Sequence, residues 1–381
     1  MRTVEGKELI DYFSDIKDPR QDQGKRHLLK DIVCIAIFGF IGDCNDYRDI
    51  EAYGKSKQEW LGSILELPFG IPSHATFRRV FAALEPEIWQ GRFKRWVQTL
   101  DLEDLTEDEE LRDEILAIDG KTSCASRSED IKALHTVSVW SSQHGIVIGQ
   151  QQVDEHSNEI TALPTLIESV DISKAVVTTD AMGTQTQVAW AIREHKGDYV
   201  LALKANHPTL YEGAVWLFEH AQTVGWDNIE HDYFESFDNA HGREEHRKYW
   251  TISDLSTIDK DTIDSWKDLK TLCCVESTRT SKGKTSVEKR YYISSLDCDA
   301  KRAAHAIRSH WSIENNLHWV LDVSFDEDKN TVHLGHGQAN LVTLRHIALN
   351  LLKLDTSSKD SIKVKRKRAG WDNDYLLSLL I

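Results

Sequence analysis

Three acidic residues stand at positions where a carboxylate is costly unless something holds it. Asp119 and Asp180 close the short apolar runs Ile115-Leu116-Ala117-Ile118 and Ala175-Val176-Val177-Thr178-Thr179, with glycine following at 120 and 183. Glu314, in His310-Trp311-Ser312-Ile313-Glu314-Asn315-Asn316, falls with Ile307, Trp311, His318 and Leu321 on one stripe of a helix of about 100° per residue. If the two runs are neighbouring parallel strands, Asp119 and Asp180 emerge side by side in the crevice where open α/β sheets bind ligands, and the glycines turn the chain away. Carboxylates that close repel each other unless a cation lies between them, and a charge within an apolar stripe has to be paired or metal-bound. Oxygen donors with open positions fit Mg²⁺ or Mn²⁺, and two such ions roughly 3.5–4 Å apart support phosphodiester cleavage. One aspartate after a strand is usually a turn residue; the coincidence of three carboxylates carries the reading.

Other side chains are weaker candidates for meeting a nucleic-acid phosphate. Lys121 follows Asp119 directly, and Lys204 and Asn206 follow the third apolar run, Asp198 to Leu203. His310 and His318 lie one turn either side of Glu314, placed to orient the carboxylate or bind phosphate, while each taken alone is more often a packing or hydrogen-bonding histidine. His241 and Arg243 fall in a basic segment, 241–247, as compatible with surface ion pairs as with phosphate contacts. Arg78 and Arg79 stand beside His74 on the outer face of a helix that Ser73 caps, where a solvated surface is the commoner explanation. Asp322, Asp326, Glu327 and Asp328 read as a solvated acidic loop, and Lys363, Lys365, Arg366, Lys367 and Arg368 as a solvated tail or nonspecific phosphate-binding arm. Phosphate-loop, dinucleotide-fold, serine-hydrolase and zincin motifs are all missing from the sequence.

The elements that must position these residues follow from periodicity. Residues 1–100 show helical spacing, through Leu28-Ile32-Ile35-Ala36 and again through Phe77-Val80-Phe81-Leu84. The segment 101–113 is strongly acidic, which marks a linker. Residues 114–355 read as strand, hairpin (Leu134 to Ser142, Ile146 to Val153), helix, strand, helix, strand, an α/β order with a mixed sheet. A tryptophan-rich, largely β insertion at about 205–296 interrupts it before helices resume, and 356–381 form the basic tail. With 381 residues and 40% apolar composition the chain is globular and larger than one typical domain. The net charge of -16 argues against a generally basic nucleic-acid coat. Six cysteines without C-x-x-C spacing point to a reducing cytoplasm. The longest apolar run, Ile32 to Gly42, is too short for a membrane span, which needs roughly 20 residues.

Several segments resemble insertion-sequence transposases of the DDE class, specifically the H-repeat-associated family. They are Asp18-Pro19-Arg20 with Gly24-Lys25-Arg26-His27, Ala117-Ile118-Asp119-Gly120-Lys121, Thr179-Asp180-Ala181-Met182, Asp198-Tyr199-Val200-Leu201-Ala202-Leu203-Lys204-Ala205-Asn206, His241-Gly242-Arg243, and above all His310-Trp311-Ser312-Ile313-Glu314-Asn315-Asn316-Leu317-His318-Trp319 continuing to Leu321-Asp322-Val323. The resemblance spans nearly the whole chain. It implies an RNase H-like catalytic core with a β-rich insertion, a helical domain in front, and Asp119, Asp180 and Glu314 as a triad holding two Mg²⁺ or Mn²⁺ ions. It further implies double-stranded DNA, both element ends and target, as partner, a cytoplasmic nucleoid-associated setting, and a homo-oligomer during synapsis. The expected chemistry is hydrolysis at an element end followed by attack of the freed 3′ hydroxyl on target DNA. In the wider group tyrosine, arginine and lysine often surround the glutamate; here Ile307, His310 and Leu321 occupy those spacings. The rival readings are a domesticated or inactive DNA-binding descendant and a hydrolase of small phosphoesters.

Overall fold

The computed structural model describes residues 9–22, 25–100, 102, 113–127, 133–153, 159–240 and 242–380. The described residues open with six helices, α1 (Asp11–Ser14), α2 (Leu29–Ile41), α3 (Tyr47–Ser56), α4 (Gln58–Leu61), α5 (His74–Ala83) and α6 (Pro86–Val97). Helix α2 is apolar on every side and buried along almost its whole length, as a central helix must be. Asp46 and Ser73 accept from backbone amides to start α3 and α5, and Pro86 opens α6 without a lost hydrogen bond.

Beyond the acidic segment the chain builds β1 (Ile115–Ser123), β2 (Leu134–Ser141), β3 (Ile146–Val153), α7 (Glu159–Glu168), β4 (Val176–Thr179), α8 (Thr186–Glu194), β5 (Asp198–Leu203) and α9 (Pro208–Val224). Then come β6 (His231–Ala240), β7 (Arg243–Ile252), α10 (Lys260–Asp264), β8 (Thr271–Ser281), β9 (Lys284–Ser294) and α11 (Ala300–Ile313). A π turn, Glu314–His318, joins α11 to α12 (Trp319–Ser324), and α13 (Gly337–Leu354), α14 (Ile362–Trp371) and α15 (Asn373–Ser378) complete the described chain.

One nine-stranded sheet runs in the order β3-β2-β1-β4-β5-β9-β8-β7-β6. The strands β1, β2 and β3 form an antiparallel meander, while β4 and β5 add to β1 in parallel. That half has the RNase H-like arrangement the resemblance implies. Alternation along β1 sorts its side chains: Leu116 and Ile118 join the core under α7, α8 and α9, whereas Ile115 and Ala117 face α11 and α12. Asp119 and Lys121 therefore continue on the α11–α12 face.

The organisation of the last third adds detail to one expectation and corrects another. Residues 205–296 carry the strands expected of a largely β insertion, and after the long helix α9 the strands β9, β8, β7 and β6 extend the same sheet from β5 by antiparallel pairing. Left unpaired, the β5 edge of the parallel strands would expose backbone groups, and the insertion covers it. Residues 356–381, by contrast, are not a basic tail. Helices α14 and α15 return to the first helices, and Ala369, Tyr375 and Leu376 join the core that α2 and α13 share. Lys365 and Arg366 are buried there; Lys363, Lys367 and Arg368 alone keep the solvated position expected of the run. The acidic segment 101–113 falls almost wholly outside the described residues, as does His241. Among the described residues, no helix is long and apolar enough to cross a membrane, and all six cysteines are free.

Candidate active site

Register brings the two aspartates together. Strand β1 pairs with β4 from Ile115↔Val176 to Ile118↔Thr179, so Asp119 and Asp180 are the next residues on adjacent parallel strands. Strand β4 stops there, but β1 runs on against β2 to Ser123. Gly120 is accordingly no turn, contrary to expectation. Its lack of a side chain serves a close approach instead, since a Cβ there would sit 2.5 Å from His135 Nε2 and 2.9 Å from Glu159 Oε2. After Asp180 the chain does turn: Asp180 Oδ1 accepts from the amides of Met182 and Gly183, each at 2.9 Å. Asn206 Nδ2 donates to the carbonyl of Ala181 at 2.8 Å, bracing this turn, while the residue itself stays exposed.

Glu314 comes from above the sheet. Packed along β1 and β4 by its alanine-rich face, α11 opens into the π turn at Glu314, whose carbonyl accepts from the amide of Trp319. Widened turns of this kind recur at functional sites. The expected buried apolar stripe is broken here: Ile307, His318 and Leu321 are buried, but Trp311 and Glu314 are exposed. The glutamate is exposed at a cavity instead of packed against a hydrophobic wall. That cavity, of about 500 Å³, is lined by Asp119, Asp180, Glu314, His310, Trp311 and Lys204 together with Arg290 of β9.

Its electrostatics are those of an uncompensated anionic cluster. Burial pushes the Asp119 carboxyl up to about 7, and the nearby charges of Asp180 and Glu314 add to the effect against the opposing amide of Gly120. His318 Nδ1 lies 3.5 Å from Asp119 Oδ2 and 3.9 Å from Glu314 Oε2. One ligand atom each from Asp119, Glu314 and His318 falls within a 4.8 Å group, a donor set able to hold a divalent cation. Desolvation drives both His318 and His310 down to about 4, so both rings are neutral near pH 7. His310 Nδ1 pairs with Thr178 Oγ1 at 2.9 Å, fixing α11 to β4.

The remaining candidates divide by partner. Lys121 does not face the cavity as a free cation. Its ammonium bonds Asp322 at 2.8 Å and lies 3.8 Å from Asp328. The acids at 322–328 are correspondingly no simple solvated loop, for Glu327 is buried against Arg345. Lys204 is exposed at the cavity rim. Arg243 sits at the exposed turn of the β6–β7 hairpin, opposite Ser281, and does not line the cavity. Arg78 and Arg79 are exposed on α5, and Arg78 lines a second cavity of about 950 Å³ with Arg48, His74, Lys329 and His333. Sequence reasoning passed over Arg290, which stacks over the Trp311 ring at 5.3 Å; only the long-range pairing of β9 with β5 brings it to the site.

Comparison with known proteins shows the family of the chain. The model of the transposase DDE domain matches residues 110–351, and that of the DDE_Tnp_1-associated domain matches residues 10–97. The chain is 37% identical to "Putative transposase YncI" of Escherichia coli O157:H7, over 98% of this chain and 94% of that protein. It is 36% identical to "H repeat-associated putative transposase YhhI" of Escherichia coli (strain K12), over 99% of this chain and 98% of that protein. A solved structure, the piggyBac transposase synaptic complex with hairpin DNA, aligns with 98% of this chain and 75% of that one at TM-score 0.42 and 12% identity. With both family models matched in order and full-length relatives at this identity, the chain belongs to the transposase DDE-domain family, with H repeat-associated transposases among its relatives.

Proposed function

We propose that this protein is a DNA transposase that cuts a phosphodiester bond at the ends of an insertion sequence and joins the freed 3′ end to target DNA. The observation that carries the reading is the register placing Asp119 and Asp180 side by side beneath the π turn that bears Glu314, with all three lining one cavity. The raised pKa of Asp119 fits a site that awaits positive charge from outside. Asp119, Asp180 and Glu314 would hold two divalent ions, Mg²⁺ or Mn²⁺. Bound there, such ions neutralise the scissile phosphate and lower the pKa of an attacking water.

The chain's own groups supply the rest. Lys204 at the cavity rim would meet nonbridging phosphate oxygens as a point charge, and Arg290 would do so by exchanging Glu288, which its Nε and Nη2 bond at 2.9 and 3.0 Å, for phosphate. The exposed Arg78 and Arg79 on α5, and Arg243 at its hairpin turn, would contact flanking duplex backbone. These local cations would let a chain of net charge -16 meet a polyanion. Because synapsis joins two element ends, the working form would be a homo-oligomer acting on double-stranded DNA.

The test is cleavage of a supercoiled plasmid bearing the element ends, with Mg²⁺ or Mn²⁺, by the protein and its Glu314→Gln variant. Metal-dependent nicking that the substitution abolishes is the expected result. Binding without cutting by both proteins would replace this reading with that of a DNA-binding descendant.

A further inference from the structure

The donor set around Asp119 contains a nitrogen that a purely carboxylate site has no use for. His318 is buried, 7% exposed, yet its Nε2 has no hydrogen-bond partner among the described residues. Ligation through Nδ1 would leave Nε2 as it is, so the case rests on where Nδ1 stands. Nδ1 stands 3.5 Å from Asp119 Oδ2 and 3.9 Å from Glu314 Oε2, too far for strong hydrogen bonds to either oxygen. Two ligands bound to one small cation at ~2.1 Å lie roughly 3–4 Å apart, and both separations fall in that range.

The backbone holds this geometry from both sides. Asp119 and Lys121 are alternate residues of β1 on one face; Glu314, His318 and Asp322 follow at four-residue steps along the π turn and α12. Strand and helix advance by similar distances over these steps, ~6.6 Å for two strand residues and ~6 Å for four helical ones. The result is a ladder in which His318 faces Asp119 and Asp322 bonds Lys121 at 2.8 Å. The half-buried ion pair at the second rung fixes the first, so the imidazole is held at the carboxylates and has little room to swing away.

We propose that His318 is a direct metal ligand, completing with Asp119 and Glu314 a mixed oxygen and nitrogen site that favours Mn²⁺ over Mg²⁺. The inference rests on the metal-dependent reading of the same cavity. Its chemical basis is ligand preference: Mg²⁺ takes oxygen donors almost exclusively, whereas imidazole suits first-row transition ions. Asp180, at the end of the neighbouring strand, keeps its Oδ2 for a second, all-oxygen position.

The experiment uses the full chain with Mn²⁺ as probe, following the loss of the free-ion electron paramagnetic resonance signal and the electron spin-echo modulation of the bound ion. The expected result is nitrogen modulation from a directly bonded imidazole, Mn²⁺ binding at least about tenfold tighter than Mg²⁺, and about tenfold weaker Mn²⁺ binding with no nitrogen modulation in His318→Gln. His318→Asp, which restores an oxygen donor, should bind again but with the preference reversed toward Mg²⁺. Metal-free thermal unfolding of each variant separates a lost ligand from a lost fold. Bound Mn²⁺ without nitrogen modulation, in a protein that still cuts plasmid in a Glu314-dependent way, would overturn the ligand role and leave the transposase reading intact. Failure of the unsubstituted protein to bind Mn²⁺ at all would overturn both.

Discussion

Of the places where the molecule withdraws charged side chains from water, those around Arg366 and around Asp119 are treated in opposite ways. Arg366 on α14 is fully buried, and each of its guanidinium nitrogens finds an acceptor. Nε and Nη2 donate to the carbonyl of Phe40 at 3.1 and 3.0 Å, Nη2 also reaches the carbonyl of Cys44 at 2.8 Å, and Nη1 donates to the carbonyl of Ser324. Asp43 lies 3.3 Å away and the Phe325 ring 4.0 Å beneath the plane. Burial lowers its pKa only to about 10, so it stays charged. Around Asp119, by contrast, carboxylates converge, and no cation among the described residues pairs with any of the three, Lys204 and Arg290 standing at the cavity rim. A compensated buried charge ties elements together; an uncompensated one marks where something from outside has to bind.

The contrast predicts opposite trades between activity and stability. Asp119→Asn should reduce plasmid cleavage beyond 10³-fold, at least ~4 kcal/mol, because a metal-binding charge is gone. The same change should stabilise the metal-free protein at pH 8. A folded-state pKa of about 7 against the ordinary 3.8 means that the folded protein holds the Asp119 proton more tightly than the unfolded chain. The stability linked to that proton is therefore full below about 3.8, falls as pH rises toward about 7, and stays lost above it. Unfolding in a chelator should show the variant gaining up to a few kcal/mol at pH 8 and almost nothing at pH 4. A variant less stable than its parent at pH 8 would show that Asp119 is compensated after all.

Arg366→Ala should do the reverse. Acceptors stranded around an emptied site and a broken link among α2, α12 and α14 should cost about 3 kcal/mol or more in urea unfolding. Cleavage per folded molecule should stay near the parent level, since no part of Arg366 lines the carboxylate cavity. Equal losses of stability and turnover would mean that the two regions are coupled through α12.

The two regions also differ in how far the sequence discloses them. Asp119, Asp180 and Glu314 were legible because strand ends and helical spacing are local patterns, and the parallel neighbours Ile118 and Thr179 do pair as those patterns imply. The basic run at 363–368 misled because composition cannot tell a solvated cation from one whose acceptors are carbonyls more than 300 residues away, as Phe40 and Cys44 are for Arg366. The same reason hid Lys121's bond to Asp322 and the arrival of Arg290 beside Trp311. The insertion's strands were recognisable as strands, but no local signal says that β9 pairs with β5 and not with a sheet of its own. The π turn was equally invisible, because its extra residue changes register without changing residue type.

An intermediate case is the Lys121–Asp322 pair, 13% and 34% exposed, which joins β1 to α12 beside the site. Lys121→Met should cost roughly 1 kcal/mol in unfolding and reduce cleavage by about tenfold or less, through displacement of the glutamate-bearing turn. Raised salt should weaken the parent but not the variant, which distinguishes the ion pair from simple packing.

The smallest effects should come from arginines that the fold leaves in water. Arg78 shares its residue type with Arg366 but is exposed on α5, has no ion pair among the described residues, and faces a cavity that also holds Arg48 and Lys329. Nothing in the folded chain depends on its charge, so Arg78→Ala should change stability by less than about 0.5 kcal/mol. If its partner is a DNA phosphate, duplex binding should weaken by a similar factor for every sequence, and the slope of log affinity against log salt should fall by about 0.9 for the one phosphate no longer neutralised. An unchanged slope would assign the cations on α5 to solvent and confine DNA binding to the carboxylate cleft. A slope reduced in Arg78→Ala and unchanged in Lys363→Ala, on the exposed side of α14, would place the duplex along the first helices and away from the C-terminal ones.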